Sequence, residues 1–72
     1  MSNKKILVDF GNKVRALRLD QDVSQEELAA KAGVHRTYIG MIERGEKNIT
    51  LENICKLAKA LKVRPQDLVS GL

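Results

Sequence analysis

The 72-residue chain has a single cysteine, a single proline and no long apolar run. Cys55 alone cannot form an internal disulfide, and the sequence has no Cys-x-x-Cys pair or Cys/His cluster to bind a metal, which favours a reducing, cytoplasmic setting. No segment approaches the roughly 18 apolar residues of a membrane span, and Ile-Leu-Val at 6–8 is too short for the core of a signal peptide. We therefore expect a protein without metal, cofactor or membrane span.

The sequence also lacks the side-chain combinations that are typical of catalysis. No nucleophile beside a base, no pair of carboxylates and no metal-ligand set is recognisable, so we expect a protein that is not an enzyme. Lysine and arginine outnumber aspartate and glutamate 13 to 9, which gives a net charge of +4 and is consistent with an anionic partner. The predicted single domain, 1–72, lies near the lower size limit for a stable core, which favours self-association.

Apolar residues at helical spacing cover most of the chain, and no alternating strand pattern or internal repeat occurs. A first helix is predicted from about Ile6 to Leu19, and Thr50 is a plausible N-cap for a fourth. Pro65 suits the first position of a short fifth helix. Two further short helices are predicted between the first and the fourth, so the sequence indicates an all-α, five-helix domain.

Those two short helices lie within residues 24–45 and are separated by a tight turn at Gly33. Ser24 with Glu27 forms a capping box at the start of the first, and Gly33 suits a left-handed residue at its end. Two helices that cross steeply around such a turn require small or branched side chains where they meet, and the sequence supplies Gln25, Ala29, Gly33, Ile39 and Ile42. In the DNA-binding version of this motif, the second helix enters the major groove while the first crosses the backbone. The corner therefore predicts a helix-turn-helix.

The second helix of the corner carries the candidate base contacts. Arg36, in its first turn, is well placed for a bidentate contact with guanine O6 and N7. Thr37 is either a helix-start residue or a contact to a base edge, and Met41 either meets a thymine methyl or fills surface space. Gly40 is expected to face outward with them and costs the helix roughly 1 kcal/mol relative to alanine. Close approach of DNA would explain this glycine, and drift at a tolerant site is the alternative.

Phosphate contacts are predicted on both sides of that helix. Gln25 lies just inside the N-terminus of the preceding helix, where N–H groups can face a phosphate. His35 is either a cap or a phosphate contact, and Tyr38 is either a half-buried ring with its hydroxyl in water or a phosphate contact. The following loop offers donors and positive charges that can hold the DNA backbone: Arg44, Lys47 and Asn48.

Three segments resemble the Cro/C1 (Xre) family of helix-turn-helix repressors: FGNKVRALR, SQEELAAKAGVHRTYIGMIERG and LENICKLAKALKV. The sequence is most similar to the controller proteins of restriction-modification systems, which carry RTYIS-x-IERG, and departs from them at Gly40 and Met41. The resemblance implies a lambda-repressor-like fold and a homodimeric transcription factor that binds a palindromic operator near its own promoter, with control of restriction-modification genes. It also implies a structural ion pair between Arg18 and Glu43.

A dimer interface is predicted on helices four and five, at about 50–70. This region holds more apolar side chains than a core of this size is expected to cover: Leu61, Val63, Leu68, Val69 and Leu72. A two-fold contact there would set two recognition helices one turn of DNA apart, roughly 34 Å. Double-stranded DNA and a second copy are the expected partners, RNA polymerase is a further candidate, and no small-molecule ligand is evident. The alternative function is an antitoxin that uses the same fold to bind a partner protein.

Overall fold

Five α-helices and their connecting turns make up residues 4–72, which the computed structural model describes, and no strand occurs among these residues. The helices are α1 (Lys4–Asp20), α2 (Gln25–Ala32), α3 (Arg36–Glu43), α4 (Leu51–Ala60) and α5 (Pro65–Val69). The predicted all-α, five-helix domain is confirmed. Within residues 4–72, no helix has the length and apolar character to cross a membrane.

Local hydrogen bonds set the ends of the short helices. Ser24 Oγ accepts the N–H of Glu27 at 3.0 Å, and the Glu27 carboxylate accepts the N–H of Ser24 at 3.0 Å, which is the predicted capping box. Gly33 ends α2 in the left-handed region with φ 73°. Thr50 caps α4 by accepting the N–H of Asn53 at 3.1 Å. The left-handed Gly33 and the backbone hydrogen bond from the N–H of Val34 to the carbonyl of Ala29, 3.0 Å long, set the turn between α2 and α3.

All five helices contribute to one hydrophobic core: Phe10, Val14, Leu28, Ala29, Ala32, Ile39, Ile42, Leu57, Ala58, Leu61 and Leu68. The assignment of Leu61 and Leu68 to a dimer interface is wrong, because these side chains are 1% and 0% exposed. Val63 is half-buried and packs against the same core. Helices α4 and α5 use these residues to close the core of the single chain. Of the predicted interface residues, Val69 and Leu72 remain exposed.

A glycine lets α1 lie directly against the end of α3. A Cβ atom at Gly11 would collide with the backbone carbonyl oxygens of Ile42 and Glu43. Nothing in the sequence marks this residue, because a glycine within a helical pattern carries no sign of what it faces. As a consequence of this glycine, the C-terminal end of α3 lies directly against the backbone of α1.

Candidate nucleic-acid interface

A buried polar network anchors α3 to the two preceding helices. Arg18 donates from Nε to Glu43 Oε2 at 2.7 Å and from Nη2 to Glu43 Oε1 at 3.0 Å, so the predicted ion pair is present and bidentate. Arg18 Nη1 also donates to the carbonyl of Val23 at 2.9 Å. Hydrogen bonding to Glu43 raises the pKa of Arg18. No buried side-chain nitrogen or oxygen in the described part of the chain lacks a hydrogen-bond partner.

Gln25 joins this network to the exposed surface. Its Nε2 donates to Glu43 Oε1 at 3.0 Å, an interaction that the sequence does not predict. An amide nitrogen has two N–H groups, so one remains for another acceptor. The capping box uses the N–H of Glu27, which leaves the backbone amides of Gln25 and Glu26 at the open end of α2. The start of α2 therefore presents several donors beside a rigidly held recognition helix.

Two recesses meet beside Gln25 and Arg36. One has a volume of about 220 Å³ and is lined by Gln25, Arg36, Thr37, Gly40 and Arg44. The other has a volume of about 380 Å³ and is lined by Arg18, Ser24, Gln25, Glu26 and Arg36. Arg36 and Thr37 are exposed, as a base contact requires. Met41 is half-buried and lines neither recess.

Gly40 lies on the outward face of α3, as expected, and lines the recess with Arg36 and Thr37, but it is not exposed there. Gly40 is buried, because the Arg44 guanidinium covers it and Gln25 lies nearby. A Cβ at this position would lie 3.1 Å from Arg44 Nη1 and 3.8 Å from Gln25 Oε1. Helical spacing alone indicates the face of the helix but does not show that a long side chain one turn later folds back over it.

His35 and Tyr38, for each of which the sequence allows two roles, lie at different positions near the N-terminal end of α3. His35 occupies the N-cap position of α3, but its side chain is exposed and makes no capping hydrogen bond. Tyr38 is half-buried, and its hydroxyl accepts a hydrogen bond from Asn53 Nδ2 at 2.8 Å. In the sequence Asn53 is only a polar residue in the first turn of α4, which does not predict this bond. The bond holds the Tyr38 hydroxyl between α3 and α4.

The loop after α3 contains the remaining predicted contacts, and all three side chains are exposed: Arg44, Lys47 and Asn48. Arg44 Nε donates to Glu46 Oε2 at 3.0 Å. This hydrogen bond raises the pKa of Arg44 and lowers that of Glu46. Asn48 lines a different cavity from Arg44, so the structure does not bring these two residues to one recess.

That cavity is an apolar groove of about 270 Å³, lined by Ile6, Leu7, Phe10, Asn48, Ile49, Ile54, Val69 and Leu72. The side chains of Ile6, Val69 and Leu72 are 45%, 42% and 41% exposed. We call it the terminal groove.

Within residues 4–72, no group of three or more His, Cys, Asp or Glu side chains is arranged to hold a metal ion.

A short capped helix, a glycine turn and a second helix with an exposed polar N-terminus define a helix-turn-helix DNA-binding domain. The chain belongs to the helix-turn-helix family of the Cro/C1 (Xre) type, whose model HTH_3 matches residues 14–68. Proteins of this family are DNA-binding transcription regulators and not enzymes.

Restriction-modification controller proteins are prominent among the similar proteins. Control protein C.BamHI of Bacillus amyloliquefaciens is 54% identical over 61 residues, which cover 83% of this chain and 75% of the relative. Control protein C.SmaI of Serratia marcescens is 44% identical over 70 residues, which cover 97% and 80%. The crystal structure of controller protein C.AhdI from Aeromonas hydrophila matches with a TM-score of 0.85 and 48% identity, covering 86% of this chain and 94% of that chain. The chain is thus a transcription regulator close to these proteins.

Proposed function

We propose that the protein binds a palindromic operator as a homodimer near its own promoter and thereby controls restriction-modification genes. The observation that carries this proposal is the recess beside Arg36, where Gln25 and Thr37 add further hydrogen-bonding groups. The buried Arg18–Glu43 pair fixes the helix that bears it. A rigid, donor-bearing surface of this kind suits the edges of bases in the major groove.

The base contacts are proposed at the start of α3. Arg36 is exposed, and its guanidinium can donate two parallel hydrogen bonds to guanine O6 and N7. Thr37, also exposed, offers a hydroxyl to a base edge or its methyl to thymine. Met41, half-buried one turn further along, would touch a thymine methyl with its flexible apolar side chain.

Phosphate contacts are proposed around this helix. Gln25 keeps one amide N–H beyond its bond to Glu43, and Tyr38 keeps its hydroxyl proton, because that oxygen accepts from Asn53. Three exposed side chains would contact the backbone on either side of the groove: His35, Lys47 and Asn48. Such contacts position the protein on the duplex and leave sequence recognition to α3.

A second copy of the chain is proposed to cover the apolar side chains of the terminal groove and to leave the exposed Asn48 free to contact DNA. The exposed Val69 and Leu72 lie there with Ile6, which is also exposed. A two-fold contact uses the same patch on both copies, so each copy would cover the apolar side chains of the other. The two recognition helices would then read both halves of a palindrome.

Footprinting of the purified protein on the DNA upstream of its coding sequence tests this proposal. We expect two protected half-sites of inverted sequence whose centres lie about 10 base pairs, or one helical turn, apart. Protection of a single half-site would contradict the dimeric operator. Lack of any protection, together with copurification of a second small protein, would favour the antitoxin function instead.

A further inference from the structure

Arg44 lies over the exposed face of the recognition helix. Arg36, Gly40 and Arg44 are spaced four residues apart and therefore share one face of α3 and its C-terminal turn. A Cβ at position 40 would lie 3.1 Å from Nη1 and 3.8 Å from Cζ of Arg44, so the absence of a side chain lets the guanidinium lie closely against this turn of the helix. In this position Arg44 lines the same recess as Arg36 and Thr37.

Glu46 accepts a hydrogen bond from Nε of the Arg44 guanidinium. The Glu46 carboxylate accepts this hydrogen bond at 3.0 Å, while the Glu46 backbone N–H donates to the carbonyl of Met41 at 2.9 Å. The chain reaches Glu46 through Gly45, which has φ 72° and where a Cβ would collide with Val8 of α1. The backbone turn therefore sets the position of Glu46, and Glu46 restrains Arg44.

A guanidinium with Nε engaged still offers parallel N–H groups on Nη1 and Nη2. This edge fits either guanine O6 and N7 or two phosphate oxygens. The Glu46 carboxylate favours guanine, because it offsets the positive charge that attracts a phosphate and would itself be repelled by one. The guanine edge carries no formal charge, so the carboxylate is repelled less by its O6 and N7 acceptors than by a phosphate.

We infer that Arg44 is a second guanine-reading residue beside Arg36, and that Gly40 and Glu46 are its positioning residues. This assignment replaces the phosphate contact expected from the place of Arg44 after the helix. It rests on the proposed DNA-binding function, and it adds a specificity determinant at the C-terminal end of α3.

The test uses the full-length protein and begins with selection of duplexes from a random pool. Fluorescence anisotropy then measures affinity at fixed salt for the enriched duplex, each of its single base-pair variants and a random duplex. Arg44→Lys keeps the charge but loses the planar fork, so we expect affinity for the enriched duplex to fall about tenfold. Preference for guanine at one position of each half-site should disappear, with the affinity for the random duplex and its salt dependence unchanged.

Two results of this experiment would separate the inference from the function on which it rests. If Arg44→Lys weakens all duplexes equally and keeps the base preferences of the wild type, Arg44 contacts a phosphate and the inference is wrong. If the wild-type protein enriches no sequence at all, the proposed function itself fails.

The positioning residues are tested in the same assay. Gly40→Leu places a good helix former beneath the guanidinium, so it should relax the same base pair as Arg44→Lys while the thermal melting curve shows a folded protein. Glu46→Gln should raise affinity for the random duplex more than affinity for the enriched duplex. Glu52→Gln removes an equal charge from an exposed position on α4 and should leave the ratio of these two affinities unchanged. Relaxation at a different base pair, or equal ratios for Glu46→Gln and Glu52→Gln, would overturn the positioning roles.

Discussion

Arg18 and Glu43 are joined by two charge-assisted hydrogen bonds of 2.7 and 3.0 Å. Their side chains are only 10% and 3% exposed. Because Glu43 is the last residue of α3 and Arg18 lies in the last turn of α1, the pair holds the recognition helix against the first helix. Loss of one partner would leave the other charge buried and uncompensated.

Arg18→Met should therefore lower the free energy of unfolding by about 3–5 kcal/mol. Urea unfolding followed by circular dichroism measures this change. Arg15→Met is the matched control, because Arg15 is exposed on the same helix and its loss should change stability by no more than about 0.5 kcal/mol. The double variant Arg18→Met, Glu43→Leu should recover much of the loss, since it removes both charges. Equal midpoints for the two single variants would contradict a structural role for the pair.

Arg36→Ala should weaken binding to the operator by about 1–3 kcal/mol and relax preference at one base pair of each half-site, because the variant cannot donate the two hydrogen bonds to guanine. Titrations of the operator and its single base-pair variants measure both effects. Lys47→Ala provides the contrast: it should weaken all sequences alike and reduce the slope of log K against log salt by about 0.9 for each phosphate that is no longer neutralised. If Arg36→Ala behaves in the same uniform way, Arg36 contacts a phosphate.

The double variant Val69→Lys, Leu72→Lys should make the protein monomeric. A two-fold contact would bring the new positive charges of both copies together in the terminal groove, where the wild-type side chains are apolar. Sedimentation velocity at tens of micromolar measures the oligomeric state. Leu19→Lys is the control, because Leu19 is 55% exposed at the end of α1 and does not line the groove. A wild-type protein that sediments as a monomer would exclude the proposed dimer.

Stability should depend on the ionisation of Glu27. Hydrogen bonds from the backbone and side chain of Ser24 hold the pKa of this exposed carboxyl below its ordinary value of about 4.3. A lowered pKa in the folded state contributes stability above the unfolded value, and this stability is lost as the pH falls through the folded pKa. Thermal melts between about pH 5 and pH 3 should therefore show a smaller decrease in Tm for Glu27→Gln than for the wild type.

Glu26→Gln is the control for that experiment. Glu26 is the neighbouring exposed glutamate and is not a member of the capping box. The Glu26→Gln protein should show the same decrease in Tm with falling pH as the wild type, because it keeps the Glu27 carboxylate. A Glu27→Gln protein whose Tm falls in parallel with the wild type would show that the capping carboxylate does not contribute to the pH dependence.

Helix positions and caps were predictable because they depend on neighbours within one turn of the chain. The Ser24–Glu27 capping box, the Thr50 cap and the left-handed Gly33 all occur as the sequence predicts. Exposure of Arg36 and Thr37 follows from the same helical periodicity, since the apolar face of α3 must turn toward the core. The ion pair of Arg18 with Glu43 came from the family resemblance and not from these local patterns.

The sequence by itself therefore determined the five helices, the helix-turn-helix corner and the face that presents Arg36. Only the tertiary structure decided that Leu61 and Leu68 belong to the core of the single chain, that Tyr38 pairs with Asn53, and that Arg44 covers Gly40. The physical reason is the separation along the chain over which each kind of interaction acts. Capping and periodicity act between residues three or four apart, whereas burial and side-chain pairing depend on how whole helices share a small core and on where long side chains settle across it.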